Sequence, residues 1–131
     1  MPPSWSQKEL ERIGSARELT IAVKRADGSV RRPTPIWVVC VGEQVYVRTW
    51  YRRDTGWFGH VLDSRRARIR VPDLEVDVDV EDVGEGAIGL RAGVDAAYRA
   101  KYGRYGSSSV AGMVTAQAAA TTLRLIPASA A

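Results

Sequence analysis

Cations and aromatic rings crowd the segment from Arg31 to His60. Two arginines precede a pair of prolines at 31–35, an Arg-Thr-Trp-Tyr-Arg-Arg run occupies 48–53, and Trp-Phe-Gly-His follows at 57–60. Guanidinium groups bind phosphate or carboxylate through paired hydrogen bonds, and aromatic rings stack on planar groups. The segment therefore predicts a ligand that is anionic and carries a flat ring, and it indicates this ligand class more directly than a reaction.

Two interpretations of this segment stay open from composition alone. In one, the rings belong to the core and the arginines are solvated charges at strand ends. In the other, arginines at the mouth of a barrel bind phosphate, and aromatic side chains wall a pocket for a ring. The side chains concerned are Arg31, Arg32, Trp37, Trp50, Tyr51, Arg52, Arg53, Trp57 and Phe58.

Two side chains are candidates for proton transfer. His60 is the only histidine, and imidazole is the side chain that most readily exchanges a proton near neutral pH. It follows an aromatic pair in a predicted helix, so that it either faces a ligand or lies on the helix surface without a catalytic role. Tyr51 is the second candidate. Cys40 lies inside an apolar run, which favours a small buried hydrophobe over a nucleophile.

The sequence contains no standard motif for metal, nucleotide or nucleophile chemistry. One histidine and one cysteine are too few for a zinc site without carboxylates, and no spacing matches a zinc motif. A Walker A loop, G-x-G-x-x-G and G-x-S-x-G are also missing. We therefore expect no metal site.

Length and composition predict one globular domain covering 1–131, with a flexible tail at 127–131. The chain is 45% hydrophobic and 26% charged, as ordinary globular proteins are. No apolar run could span a bilayer and the first residues resemble no targeting peptide, so that a cytoplasmic location without membrane contact is expected. The single Cys40 agrees with a reducing compartment. The net charge of +4 tolerates an anionic partner without indicating a nucleic-acid clamp.

The first elements have clear local signals. A Ser-x-x-Glu capping box at 6–9 predicts a helix over 7–13 that ends at Gly14. The pattern next predicts a strand over 19–23 and a tight turn at Asp27-Gly28.

Prolines and an apolar run mark the next strands. Pro33 and Pro35 cannot donate to a ladder, so that their segment belongs at a sheet edge or a bulge. The run 36–41 predicts one buried strand. After a turn at Gly42-Glu43, the segment 44–49 is expected to pair back on it.

Strict alternation predicts a hairpin of 66–71 with 74–80 around a two-residue loop at Pro72-Asp73. A slip by one residue would move every charge into the core, so that the register is well specified. We therefore interpret the arginines of this hairpin as structural partners in the sheet. The predicted cross-strand pairs are Arg66 with Asp79, Arg68 with Asp77, Arg70 with Glu75, and Ile69 with Val76.

The last third of the chain is predicted to be mostly helical. Asp95 is a candidate cap for a helix over 96–102, and glycines over 83–93 predict a mobile loop before it. A second helix is expected over 109–119, followed by a closing strand over 121–126.

Several short motifs together resemble one known superfamily. They are R-R-x-P-hydrophobic-W at 31–37, V-Y-V-R-T at 45–49, W-F-x-H at 57–60, the alternating strands at 66–80, a tyrosine-bearing helical stretch at 98–105 and T-T-L-R-L-I-P at 121–127. In this order they resemble the split-barrel flavin-binding superfamily, and most closely a small uncharacterised bacterial family similar to its deazaflavin-dependent nitroreductase branch. The resemblance implies a mainly β fold with flanking helices (α+β), a split β-barrel of the FMN-binding type.

The resemblance also implies a cofactor site. The cofactor would be flavin mononucleotide or a deazaflavin, with His60 or Tyr51 as the catalytic proton donor. Deazaflavin-binding relatives have a longer phosphate loop with glycine and lysine where this chain has residues 50–56. The implied cofactor-binding residues are Arg32, Pro33, Thr34, Arg48, Thr49, Trp50, Arg52, Arg53 and Trp57, with Arg52 and Arg53 in place of the missing lysine.

The leading hypothesis is a small flavin- or deazaflavin-dependent oxidoreductase acting on a small molecule. The shortened loop supports an alternative, a split barrel that has lost the flavin and serves as a small-molecule binding protein or a cofactor-free cyclase or isomerase. Nucleic-acid binding is disfavoured, because the acidic strand at 75–81 would repel phosphates. The resemblance further implies a homodimer, although the residues themselves do not decide between monomer and dimer.

Overall fold

The computed structural model describes residues 4–49, 56–84, 88–103, 110–111 and 113–128. Within these ranges, no helix has the length and apolar character that crossing a bilayer requires. The helices are α1 Gln7–Ser15, α2 Gly56–Ser64, α3 Ile88–Tyr102 and α4 Ala116–Ala119. The strands are β1 Leu19–Val23, β2 Thr34–Ile36, β3 Val39–Val41, β4 Gln44–Val47, β5 Arg66–Val71, β6 Leu74–Asp82 and β7 Leu123–Pro127.

These seven strands form one antiparallel sheet in the order β2-β1-β5-β6-β7-β4-β3. β2 and β3 are its outermost strands, although only residues 37 and 38 separate them in the chain. Three Cα–Cα steps span at most about 11 Å, so that the two edges of the sheet must lie close together. The sheet therefore curls on itself, and the predicted split barrel is confirmed.

The apolar run 36–41 is not the single buried strand that its composition predicts. Thr34–Ile36 pairs with β1, whereas Val39–Val41 pairs with β4 at the opposite edge of the sheet. Between them Trp37 leaves the ladder and stacks on Tyr102, with ring centroids 4.0 Å apart. The prediction is wrong because the run closes the barrel and changes partners, which local composition does not encode.

The hairpin of β5 and β6 has the predicted register throughout. Arg68 pairs with Asp77 at 2.8 Å and Arg70 with Glu75 at 2.5 Å, as expected. The third predicted ion pair is wrong, since the guanidinium of Arg66 forms no ion pair with the aspartate opposite it.

Two hydrophobic clusters lie on the two faces of the sheet. The first fills the barrel and includes Val45 and Val47 of β4 together with residues of α2. The second contains Tyr46 and packs Tyr98 of α3 against β3. Successive residues of a strand point to opposite faces, so that β4 contributes to both clusters.

The N-terminal helix is tied to the barrel. Its capping box is confirmed, with Ser6 Oγ accepting from the Glu9 backbone N–H at 3.1 Å and the Glu9 carboxylate accepting from the Ser6 N–H at 2.8 Å. The helix continues past its predicted end to Ser15. The indole N–H of Trp5 donates to the carbonyl oxygen of Leu125 at 2.9 Å, which joins the two ends of the chain.

The helices after β6 differ from the prediction. α3 begins at Ile88, so that residues 88–93 are helical and not part of a loop. Asp95 lies inside α3 and does not cap it. Packing against β3 overrides the weak helix propensity of the glycines here. A bend at 114–115 divides the predicted helix 109–119 before α4.

Candidate functional site

One end of the barrel gathers the segments on which the sequence predicts a site. β4 ends there at Val47, opposite the start of β7 at Leu123. The pairing register brings the end of β6, the start of β5 and the end of β1 to the same side of the sheet. β2 runs antiparallel to β1 and therefore starts there, at Thr34. We call this end, with residues 24–34, 47–49 and 56–66, the α2 rim.

α2 is anchored on this rim by apolar side chains. Phe58 and Val61 lie on one face of the helix and are buried in the barrel core. Trp57 is half-buried and meets Phe58 edge-on, with ring centroids 5.7 Å apart. His60 is exposed. The helix ends where Arg65 adopts a positive φ of 61° and donates its backbone N–H to the carbonyl oxygen of Val61.

A cavity of about 380 Å³ opens on the α2 rim beside His60. Small-molecule sites have volumes of about 300–1,000 Å³, so that the cavity has the size of a small ligand site. Its lining contains four cationic side chains and one carboxylate, which favours anions. No group of acidic, histidine or cysteine side chains in the described parts of the chain is arranged to hold a metal ion. The lining residues are Lys24, Arg25, Ala26, Arg31, His60, Asp63, Ser64 and Arg66.

Lys24 already has an ion-pair partner, which it shares with Arg68. This lysine is buried, and its ammonium group donates to a carboxylate oxygen of Asp77 at 2.7 Å. Arg68 donates to the other oxygen at 2.8 Å. The hydrogen bonds from Arg68 and Lys24 lower the pKa of the Asp77 carboxyl, which therefore stays ionised at neutral pH.

The three arginines of the cavity have no ion-pair partner among the described residues. Arg25 donates from Nη1 to Ser29 Oγ at 3.3 Å and to the Val30 carbonyl at 3.1 Å, which are neutral acceptors. Arg31 and Arg66 form no ion pair with any carboxylate among the described residues. The cavity therefore carries a net positive charge.

Arg48, for which the resemblance implies contact with a cofactor, is only 1% exposed. Its Nη1 donates to the Asp95 carboxylate at 2.5 Å and to the Met113 carbonyl at 2.9 Å, and its Nε donates to Thr122 Oγ1 at 2.8 Å. A buried ion pair needs such additional hydrogen bonds to offset the cost of desolvation. Arg48 thus joins β4 to α3 and to the start of β7.

Two buried polar atoms beside this ion pair have no hydrogen-bond partner within the described residues: Arg48 Nη2 and the Tyr98 hydroxyl. The guanidinium carbon lies 5.6 Å from the centre of the Tyr98 ring. Burial raises the pKa of the Tyr98 hydroxyl, which therefore stays protonated at neutral pH. An unsatisfied buried polar group costs about 1–3 kcal/mol of stability, so that these two atoms lower the free energy of unfolding.

Thr49, which follows Arg48, is held in the same way. It is buried, and its backbone N–H donates to Thr121 Oγ1 at 3.0 Å. The two residues after β4 are therefore fixed by the residues that precede β7.

The structure places some of the predicted site residues around the cavity and others outside it. His60 lines the cavity, as does Arg31, the neighbour of Arg32. Arg32 and Pro33 are exposed, and Thr34 is half-buried at the start of β2. The roles of these residues stay predictions. Four further candidates lie outside the described residues: Trp50, Tyr51, Arg52 and Arg53.

Motif matching does not single out four of the cavity residues. The tight turn at 27–28 pairs Lys24 with Val30 and so returns the residues before β2 to the end of β1. The residues that begin β5 follow α2 directly and reach the same place. The only sequence signal for these residues was the order of the predicted helices and strands along the chain, and no motif marked them. The four residues are Lys24, Arg25, Ser64 and Arg66.

A family model matches residues 9–125. It is described as an uncharacterized protein conserved in bacteria (DUF2255). The chain belongs to this family. The match runs from α1 into β7 and thus includes nearly all of the barrel, which confirms the bacterial family predicted from the motifs. A search of curated proteins found no match.

Solved structures share the fold of this DUF2255 member at low identity. An FAD-binding protein from Mesorhizobium loti has a TM-score of 0.60 and 14% identity, over 96% of this chain and 92% of that chain. HutZ, a heme storage protein from Vibrio cholerae, has a TM-score of 0.61 and 14% identity, over 94% and 90%. A NimC/NimA family protein from Clostridium acetobutylicum has a TM-score of 0.60 and 12% identity, over 92% of this chain and 80% of that chain. Such identities establish the fold alone.

Proposed function

We propose that this protein binds a flavin or a deazaflavin at the α2 rim and acts as an oxidoreductase on a small molecule. One observation carries the proposal, namely the open cationic cavity lined by Arg31 and His60 at the end of a split barrel. A ligand with a phosphate and a flat ring needs cations next to an aromatic side chain. Trp57 lies on the same helix as His60 and is the ring that the proposal assigns to the ligand, although it packs against the core and is not among the residues that line the cavity.

One structural neighbour motivates the choice of ligand. The Mesorhizobium loti protein that shares this fold is an FAD-binding protein. Because the identity is 14%, it motivates flavin as the first ligand class to test and says nothing about individual residues.

The proposal gives each side chain of the rim a separate task. A bound flavin would supply hydride transfer, while the protein binds, orients and excludes water. Arg32 would hold the phosphate, Trp57 would pack against the ring, and His60 would donate a proton to the substrate. Arg48 is engaged with Asp95, so that it would position the segment after β4. The same proposal assigns phosphate contacts to Arg52 and Arg53, ring contacts to Trp50, and a second proton donor to Tyr51.

A titration tests the proposal directly. Flavin mononucleotide and a reduced deazaflavin are added to the purified protein, and binding is followed by absorbance and fluorescence. We expect saturable binding, weakened about tenfold by Arg32→Ala because a charged hydrogen bond is lost. Trp57→Ala should weaken it by about tenfold as well, since stacking is removed. Arg70→Ala, which removes an arginine far from the rim, is the control and should bind as the wild type does.

An alternative function follows if no flavin binds. His60 and Asp63 line the same cavity, which offers an imidazole and a carboxylate for proton transfer without a cofactor. The chain would then be a small-molecule binding protein or a cofactor-free enzyme. Absence of saturable binding for both cofactors would reject the oxidoreductase and leave this second function to be tested.

A further inference from the structure

We infer that the cavity on the α2 rim binds a phosphate-type oxyanion between Arg31 and Arg66. The inference deepens the proposed function, and it rests on that function only for the identity of the molecule that carries the anion. The anion site itself follows from the positive charge of the cavity, from the lack of ion pairs at Arg31 and Arg66 among the described residues, and from the backbone hydrogen bonds that hold both residues.

The cavity has an excess of positive charge after its internal ion pair is taken into account. Lys24 pairs with Asp77 at 2.7 Å and shares this carboxylate with Arg68. Three arginines then face the single carboxylate of Asp63. A phosphate monoester carries a charge of about −1.5 to −2 at neutral pH, which matches this excess.

Arg31 and Arg66 flank the end of β1 from its two sides. The backbone N–H of Arg31 donates to the Val23 carbonyl at 2.8 Å, on the β2 side. The carbonyl of Arg66 accepts from the Lys24 N–H at 2.9 Å, on the β5 side. Both backbones are thus fixed to the same strand, and both side chains line the same cavity. Because the backbones are fixed, only the side chains must become ordered when they bind an oxyanion, and the planar guanidinium loses little entropy per hydrogen bond.

The hydroxyl group of Ser64 also holds the backbone of this region in place. Ser64 Oγ donates to the Lys24 carbonyl at 2.5 Å and lies 3.2 Å from the Arg66 carbonyl. It therefore joins the end of α2 to β1 and to the start of β5. The cavity wall is built from three elements that are bonded to one another.

A purely structural role explains the other arginines of β5 but not Arg66. Arg68 and Arg70 each donate to a carboxylate on β6, at 2.8 and 2.5 Å. Arg66 has an aspartate opposite it in the ladder, yet it forms no ion pair there. Arg66 lines the cavity instead.

Two molecules could supply the anion. It is either the phosphate of the proposed flavin cofactor or the phosphate or carboxylate of a separate ligand. The same guanidinium chemistry serves both, so that competition between probes must separate them.

The test is calorimetric titration with inorganic phosphate at constant ionic strength. We expect saturable binding to the wild type and an affinity about tenfold or more lower for Arg31→Ala/Arg66→Ala, because two charged hydrogen bonds are lost. Arg12→Ala/Arg70→Ala is the matched control, since it removes two arginines whose ion pairs lie at the opposite end of the hairpin. It should bind phosphate within about twofold of the wild type, because charges beyond the Debye length are screened. Asp63→Asn should bind phosphate more tightly.

Circular dichroism verifies that the variants are folded. If the double variant does not fold, Arg66→Ala alone, at an exposed strand position, is compared with Arg70→Ala. Equal phosphate affinity in the Arg66 variant and its control, or no saturable phosphate binding to the wild type, would overturn the inference.

Competition then identifies the carrier of the anion. Phosphate that displaces flavin mononucleotide but not riboflavin supports the inference with the cofactor phosphate as the anion. Phosphate that binds without affecting flavin mononucleotide supports it with a separate ligand. If phosphate binds and no flavin binds, the proposed function fails while the anion site stands.

Discussion

Two regions of this barrel use arginine in opposite ways. Beneath α3, Arg48 is buried, and three hydrogen bonds, one of them to Asp95, hold it. At the α2 rim, Arg31 and Arg66 face a cavity and form no ion pair with the described residues. The residue type is the same, but the acceptors that the fold supplies are different. A guanidinium with acceptors inside the protein is occupied by the fold and costly to leave unpaired, whereas one without them is available to a ligand.

Of the substitutions considered, Asp95→Ala should have the largest effect on stability. It leaves Arg48 buried without a carboxylate, and the free energy of unfolding should fall by about 3–5 kcal/mol. Urea denaturation followed by circular dichroism measures it. The matched control is Asp63→Ala at the rim, an exposed position where we expect a change within about 0.5 kcal/mol. Equal stability of the two variants would remove the distinction between the regions.

Two buried tyrosines of α3 sharpen the comparison within the structural region. The Tyr102 hydroxyl accepts from the Val38 N–H at 3.0 Å and donates to the Arg17 carbonyl at 2.6 Å, whereas the Tyr98 hydroxyl has no partner in the described chain. Tyr102→Phe should cost about 1–3 kcal/mol, because buried groups lose their partners. Tyr98→Phe should be neutral or stabilising by up to about 1 kcal/mol.

Thermal or urea unfolding of both tyrosine variants measures this difference. Each change removes one oxygen from the same helix, so that each variant controls for the other. A larger loss of stability in Tyr98→Phe than in Tyr102→Phe would show that the Tyr98 hydroxyl has acceptors in the folded protein.

The smallest effect concerns Asp77, which joins the rim to the hairpin. Hydrogen bonds from Arg68 and Lys24 lower its pKa, so that it stabilises the fold above its unfolded pKa of about 4. This contribution is lost as the pH falls through the lowered folded pKa. In Asp77→Asn the acid-dependent loss should be smaller, because the amide keeps an oxygen acceptor for Lys24 but cannot ionise. Urea unfolding between pH 2.5 and 7 compares the two proteins. The same dependence of stability on pH in the wild type and in Asp77→Asn would contradict a stabilising role of the ionised Asp77.

Local sequence predicts the elements whose signals are complete within a few residues. The hairpin of β5 and β6 has its charges in alternation and its turn between them, and its register is as expected. The capping box at Ser6 and Glu9 is equally local. The strand over 36–41 fails, because its two halves pair with strands at opposite edges of the barrel.

The candidate site is predictable only in outline. The cluster of cations and rings between Arg31 and His60 points to the rim, and both of these residues line the cavity there. Lys24 and Arg66 also line it, although the sequence pattern assigns Arg66 to a cross-strand ion pair and gives Lys24 no role. Asp95 has the sequence context of a helix cap, and only the packing of α3 reveals it as the partner of Arg48.

The sequence by itself determined the alternation of the hairpin strands, their turn, the cap of α1 and the excess of positive charge before β2. These features depend on neighbouring residues and on the pleat of a strand, so that a short window contains the information. Tertiary structure alone decided which arginine is neutralised and which faces the cavity. That choice depends on carboxylates that are 47 positions away for Arg48 and on closure of the barrel at residues 37–38, and a local pattern contains neither.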